Sequence, residues 1–318
     1  MGMSQEAFVR RYADGWADFE ELLERMESKH LDRPVHEFPR QFRMVCRHLA
    51  IARSRGYSLG VQTRLERMVE RGHGKFYGAR PDPWRKVWEY AAGGFARDVR
   101  ANWKPMLVSL LCFGVPFVSL TLWVAMAPDR ASEILGLFML MNLDSMYGPS
   151  ADMAREADSD VMMFGYYIYN NVGIALRTFG SGLFLGIGSL FILLFNGVVL
   201  GAASGYVTGM GYSDNFWPFV IGHGSFELTA IVLAGGAGLK IGAAPIWPGR
   251  YSRLAAIRKA ARESLGLILG FSAMLVIAAF IEAFWSPRQT EPIIRYVVGG
   301  GLWLFVISYF AFSGKGAR

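Results

Sequence analysis

The sequence predicts an all-α membrane protein: a polytopic helical bundle of about six transmembrane spans, preceded by a cytoplasmic helical region. Three observations carry this. Of 318 residues, 53% are hydrophobic and only 19% charged, against roughly 25% charged in ordinary soluble domains. The charge is unevenly placed: residues 1–104 hold 20 Lys and Arg with 14 Asp and Glu, whereas residues 105–212 hold only 3 and 7. Beyond residue 104 come apolar runs of about 20 residues, the length that a hydrocarbon core of about 30 Å requires. The expected domains are therefore residues 1–104, a helical region ending in an interfacial helix, and residues 105–318, the transmembrane bundle.

In the front third, Phe8, Tyr12, Trp16, Phe19, Leu23 and Met26 recur every three or four residues, the stripe of an amphipathic helix. Phe38, Phe42, Val45 and Leu49 repeat it after Pro34, and Leu65, Met68 and Val69 give a weaker third stripe. Gly72 and Gly74, then Pro81 and Pro83, are expected to break the chain before a fourth helix over 84–99. That helix carries Trp84, Trp88 and Phe95 beside Arg85, Lys86, Arg97 and Arg100, the composition of a helix lying in a membrane interface. Packing of the same face against the first helix is the alternative. The stripes are narrow, so the front third is expected to have a small core and to dock on the membrane's cytoplasmic face.

The first span is Pro105 to Ala127, without a charge. The loop 128–160 carries a net −5, and within it Ile134 to Leu143 is too short to cross. Val172 to Tyr212 holds one charge, Arg177, and at 41 residues is twice a membrane's thickness. The turn dipeptide Asn196-Gly197 predicts two spans there, with a re-entrant hairpin over 183–212 as the other reading. Trp217 to Leu239, Ser264 to Trp285 and Ile293 to Phe312 complete six. The loop 240–263 carries a net +5. With six spans that loop, the N-terminus and the Lys315/Arg318 tail face the cytoplasm and the acidic loop lies outside; five spans would violate the positive-inside rule at the most basic loop.

Arg177, Asn196, His223, Glu227 and Glu282 are polar groups within or beside these spans, where isolated ionisable groups are costly and face a protein interior or water. His223 and Glu227 stand four apart, on one helix face. The five form a candidate central cluster: either a site for an ion, a proton or a polar head group, or polar glue in which Arg177 pairs with Glu227 or Glu282. His223 and Glu227 offer a metal only two ligands where catalytic zinc takes three, and Gly224-Ser225-Phe226 is no nucleophile elbow. No catalytic residue, cofactor or metal is expected. Gly182, Gly186, Gly188, Gly197, Gly201, Gly205, Gly235, Gly236 and Gly238 have the small-xxx-small spacing, or a close variant, of tightly packed membrane helices. The formal charge of +7 comes without a nucleic-acid-binding motif, so no nucleic-acid partner is expected. Two cysteines, Cys46 and Cys112, make a structural disulfide improbable. Residues 1–30 lack the apolar segment of a signal peptide.

Asn170-Asn171, the run Phe179 to Gly201 with Asn196-Gly197, Pro218, the string His223-Gly224-Ser225-Phe226-Glu227-Leu228 and Ala234 to Leu239 together resemble the stage II sporulation protein M family. Pro245, Pro248-Gly249, Arg253, Glu282 and Ser286-Pro287 extend the resemblance. Trp16, Phe38-Pro39, Arg47-His48-Leu49-Ala50 and Arg71-Gly72-His73 are similar to its long forms, which carry a cytoplasmic extension. The resemblance implies a multi-pass inner-membrane protein whose namesake localises a cell-wall-degrading complex in spore-formers, a role not transferred here. Two function classes follow. One is a non-enzymatic scaffold recruiting membrane or cell-envelope proteins. The other is a permease subunit, similar to ABC-2 exporters and served by a separate cytoplasmic ATPase, or a channel with a polar central site; the chain has no phosphate-binding loop of its own. The lipid bilayer is the one partner common to both, and a homo-oligomer fits either.

Overall fold

The computed structural model describes residues 3–28, 36–77, 83–149, 157–288 and 290–315. Among them every regular element is helical. The chain forms two compact units, Met1–Val87 and Trp88–Arg318, dividing ahead of the 104/105 boundary that charge alone suggests.

The first unit contains α1 (Gln5–Ser28), α2 (Phe38–Ser54) and α3 (Leu59–Tyr77). The predicted stripes converge: Phe8, Trp16, Phe19, Leu23 and Met26 from α1 meet Phe38, Phe42, Val45 and Leu49 from α2 and Leu65 and Met68 from α3, all buried. Trp16, Phe19 and Phe38 are 0–1% exposed, and the Phe19 and Phe38 rings meet at a 5.6 Å centroid distance. Trp16 Nε1 donates to His48 Nδ1 at 3.0 Å, so the one polar end of the indole is satisfied inside. Gly72 and Gly74 do not break α3. A Cβ on Gly72 would meet the Phe42 ring at 2.7 Å, so the glycine makes room for an aromatic side chain. Pro34 and Pro81 lie outside the described residues.

The second unit begins with Trp88 at the end of α4 (Pro83–Glu89), a π-helical turn Tyr90–Gly94, and α5 (Phe95–Ala101). Trp88 is 72% exposed, whereas Phe95 is buried. Phe95 packs edge-on against Phe310, and Arg100 donates to the carbonyls of Phe310 and Ser313 at 2.7 and 2.6 Å, fixing this segment on the bundle's last helix.

Among the described residues, five helices are long and apolar enough to cross a membrane: α6 (Trp103–Met126), α10 (Ile187–Gly209), α11 (Ser213–Ala243), the run Arg253–Trp285 containing α12 (Arg253–Phe280), and α13 (Pro292–Phe312). Between α6 and α10 lie α7 (Ser132–Tyr147), too short to cross, α8 (Ala157–Tyr167) and α9 (Gly173–Gly180). A π-helical turn, Ile168–Val172, joins α8 to α9, so residues 157–180 form one helical run of about 36 Å. Phe164 lies against Phe280 and Phe284 and Phe179 against Phe271, so this run passes antiparallel along α12.

The division of 172–212 at Asn196-Gly197 is overturned, and with it the re-entrant hairpin: α10 runs straight through both residues. A Cβ on Gly197 would stand 2.5 Å from the Phe113 carbonyl oxygen, so this glycine serves helix approach. Asn196 turns its amide back to the Ile192 carbonyl at 2.8 Å. The helix breaks earlier instead, at Leu185 (φ 53°) and Gly186 (φ 83°), where the left-handed backbone redirects the chain.

At the centre lies α11, buried over most of its length. A Cβ on Gly182 would collide with the Gly238 backbone, and one on Gly242 with Gly186. Along the α6–α10 seam, Cβ atoms on Gly197, Gly201, Gly205 and Gly209 would meet the carbonyl oxygens of Phe113, Phe117, Thr121 and Ala125 at 2.5–2.7 Å. These glycines, four apart, let two backbones touch where lipid supplies no hydrophobic drive.

Candidate functional site

Among the described residues, His223, Glu227 and Glu282 form a cluster of ionisable groups built across two helices. His223 and Glu227 lie one turn apart on α11, with His223 Nε2 4.0 Å from Glu227 Oε2. Glu282 comes from the π-helical turn Ile281–Trp285 that ends the α12 run. Such a turn inserts a residue and re-aims the side chains after it; here Ser286 N closes a 2.8 Å bond to Ile281 O, five residues back. One ligand atom from each of His223, Glu227 and Glu282 lies within 4.8 Å of the other two. His223 Nδ1 sits 3.3 Å from Ser286 Oγ, and both residues are buried. Phe219 meets the imidazole edge-on at a 5.5 Å centroid distance. Two residues beyond Ser286, Arg288 Nη2 donates to Asp160 Oδ2 at 2.6 Å, and the Asp160 carboxylate is itself buried.

The structure brings together three of the five residues, His223, Glu227 and Glu282. Arg177 does not join them: it faces outward and its Nε donates to the Gly173 carbonyl at 3.0 Å. Among the described residues it pairs with neither glutamate, since an exposed guanidinium near a helix end can reach polar surroundings along its own stem. Asn196 is likewise occupied within α10. Asn170 Nδ2 donates to Asn171 Oδ1 at 2.9 Å in the π-helical turn before α9. Pro218 and Gly224 are buried on α11. Pro248 and Gly249 (φ 60°) form the turn into α12, whose first residue is Arg253 and whose N-cap hydroxyl, Ser252, accepts from Ala255 N at 3.3 Å. Pro287 follows Ser286 in the turn to α13. Ser286 as the histidine's partner, and the Asp160–Arg288 pair across 128 positions, left no signal in the sequence that would have set them apart.

The architecture defines a polytopic helical membrane protein. A family model described as stage II sporulation protein M matches residues 108–287, more than half of the chain and all of the polar cluster. The chain belongs to the stage II sporulation protein M family. A second model, described as a domain of unknown function, matches residues 6–78, nearly the whole first unit. No curated protein and no solved structure matches.

Proposed function

We propose that the chain is a non-enzymatic scaffold of the inner (plasma) membrane that recruits other membrane or cell-envelope proteins. The observation that carries this is the α6–α10 seam, where four successive glycines bring one helix onto the carbonyls of the other. Backbones in such contact hold one arrangement, because any slide meets the next turn of the partner helix. A protein that alternates between inward and outward states needs seams that can part.

The orientation belongs to the same proposal. Counted with the five apolar helices, the run 157–180 makes six crossings. The basic 240–263 loop, both termini and the first unit then face the cytoplasm, and the acidic segment before residue 157 lies outside. Asp160 and Arg177 sit near opposite ends of that run, where polar groups are tolerated.

The His223–Glu227–Glu282 cluster, one buried and two half-buried side chains, favours a second reading, a permease served by a separate ATPase docked on the basic loop. In-cell photocrosslinking separates the two. A photoreactive residue at exposed Leu59, Phe138 or Leu254 is expected to capture membrane and envelope proteins. Capture at Leu254 of an ATPase bearing a phosphate-binding loop would overturn the scaffold reading.

A further inference from the structure

We propose that His223, Glu227 and Glu282 bind one divalent transition-metal ion, of the zinc, manganese or iron class, tying α11 to the end of the α12 run. Ligands about 2.1 Å from a tetrahedral zinc stand about 3.4 Å apart. The three donor atoms already lie within 4.8 Å of one another, so each must move inward by less than about 1 Å, within reach of small rotations in two glutamate side chains.

The setting of the histidine is the second, independent observation. His223 is 5% exposed, and its Nδ1 faces Ser286 Oγ. Assigning the ring proton to Nδ1, where the hydroxyl accepts it, leaves the Nε2 lone pair directed at Glu227 across 4.0 Å. That gap is too long for a hydrogen bond. Metal-bound histidines are held in this way, with the non-ligating N–H donated to a fixed acceptor. When Glu227 is ionised, the lone pair and the carboxylate repel in a water-poor interior, and a cation between them turns repulsion into attraction. No Lys or Arg among the described residues takes that place at Glu227. One imidazole with two carboxylates mixes the donors that suit zinc and iron with those that suit manganese. Three protein ligands leave a further position for water. The third ligand stands 55 positions from Glu227, so the pair visible on α11 alone falls one short.

The full-length chain, purified in mild detergent and stripped with a chelator, is loaded with Zn2+ and passed through gel filtration for elemental analysis. One equivalent per chain is expected, and Co2+ loaded in its place is expected to give visible d–d bands that Zn2+ abolishes. Glu227→Gln and Glu282→Gln are each expected to weaken Zn2+ binding more than about 100-fold and Ser286→Ala about tenfold, with circular dichroism and elution unchanged. Arg177→Gln, outside the cluster, is expected to bind as the parent does. Should the glutamine variants misfold, wild-type stoichiometry and Ser286→Ala decide. A parent chain that emerges without metal, a Ser286→Ala variant of unaltered affinity, or a folded Glu227→Gln/Glu282→Gln double variant that keeps its equivalent would each overturn the proposal.

Discussion

The two units of this chain are packed differently, although the second also buries large side chains such as Leu193, Leu267 and Phe271. In the first, the largest side chains go inside: Trp16, Phe8, Phe19, Phe38, Leu23 and Met26 are all less than 2% exposed or nearly so. In the second, α10 and α11 bury Gly201, Ala202, Gly205, Ala234, Gly235 and Gly238, while Leu122, Phe195 and Phe305 point outward. Water expels large apolar groups, so a water-built core is filled with them. Lipid is as apolar as leucine and expels nothing of the kind, so helices there gain by close backbone approach and polar contacts. The same chain follows both rules, and the change comes close to Val87.

Removing volume should therefore hurt most in the first unit. Trp16→Ala is expected to cost about 3–5 kcal/mol and to strip His48 of its donor. Hydrogen exchange read by mass spectrometry should then show residues 5–77 deprotected while α10 and α11 stay protected. Adding volume should hurt in the second. Gly201→Val places a Cβ 2.5 Å from the Phe117 carbonyl and is expected to cost about 1–3 kcal/mol. Gly224→Ala is the control, because its nearest neighbour is Val220 Cγ1 at an ordinary 3.5 Å. Thermal unfolding in detergent should separate the two; equal losses would mean that the seam is not what holds the bundle.

The sequence distinguished these regions well where the signal is periodic. All three front stripes became helices with their apolar faces inside, and the charge-poor runs became long helices except 172–212, which breaks at Leu185 and Gly186. It misled where one residue type has two uses. Asn196-Gly197 is a turn signal in water, yet inside a membrane an open turn leaves backbone groups unsatisfied, and Gly197 instead admits the α6 backbone. Gly72 misled in the same way, being space for the Phe42 ring. At the site, the i, i+4 spacing of His223 and Glu227 was legible, and Glu282 was recognisable as an ionisable group in a span. Arg177 had the right charge on a neighbouring helix but the wrong face, and single-helix spacing carries no information about which face meets which helix.

Acid should also divide the units. Burial, with the Arg47 charge beside it, holds His48 below the ordinary histidine range. The unfolded chain takes up that proton near pH 6.5 while the folded chain resists it, so the unfolded state binds more protons and stability falls as pH drops through that region. Protonation also ends acceptance from Trp16, worth about 1 kcal/mol. Urea unfolding of the first unit should show a lower midpoint at pH 5 than at pH 7.5, and His48→Gln should flatten that dependence. The smallest expected effect is at the surface. Arg64 hydrogen-bonds Glu20 through Nε and Nη2 at 3.2 and 2.8 Å and holds its carboxyl below the usual range. This pair is partly exposed, so Glu20→Gln should cost less than about 1 kcal/mol, and a double-mutant cycle with Arg64→Gln would measure the coupling.

The proposed scaffold role requires that helices meeting backbone to backbone hold one arrangement, and that is open to direct measurement. Spin labels at the outward-facing positions Leu122 on α6 and Phe305 on α13, with the free Cys46 and Cys112 replaced by alanine, report the distance across the bundle in lipid nanodiscs. A single narrow distribution is expected, the same for the parent and for Glu227→Gln. Two populations whose ratio moves with that substitution would show helices that alternate, and would contradict the scaffold.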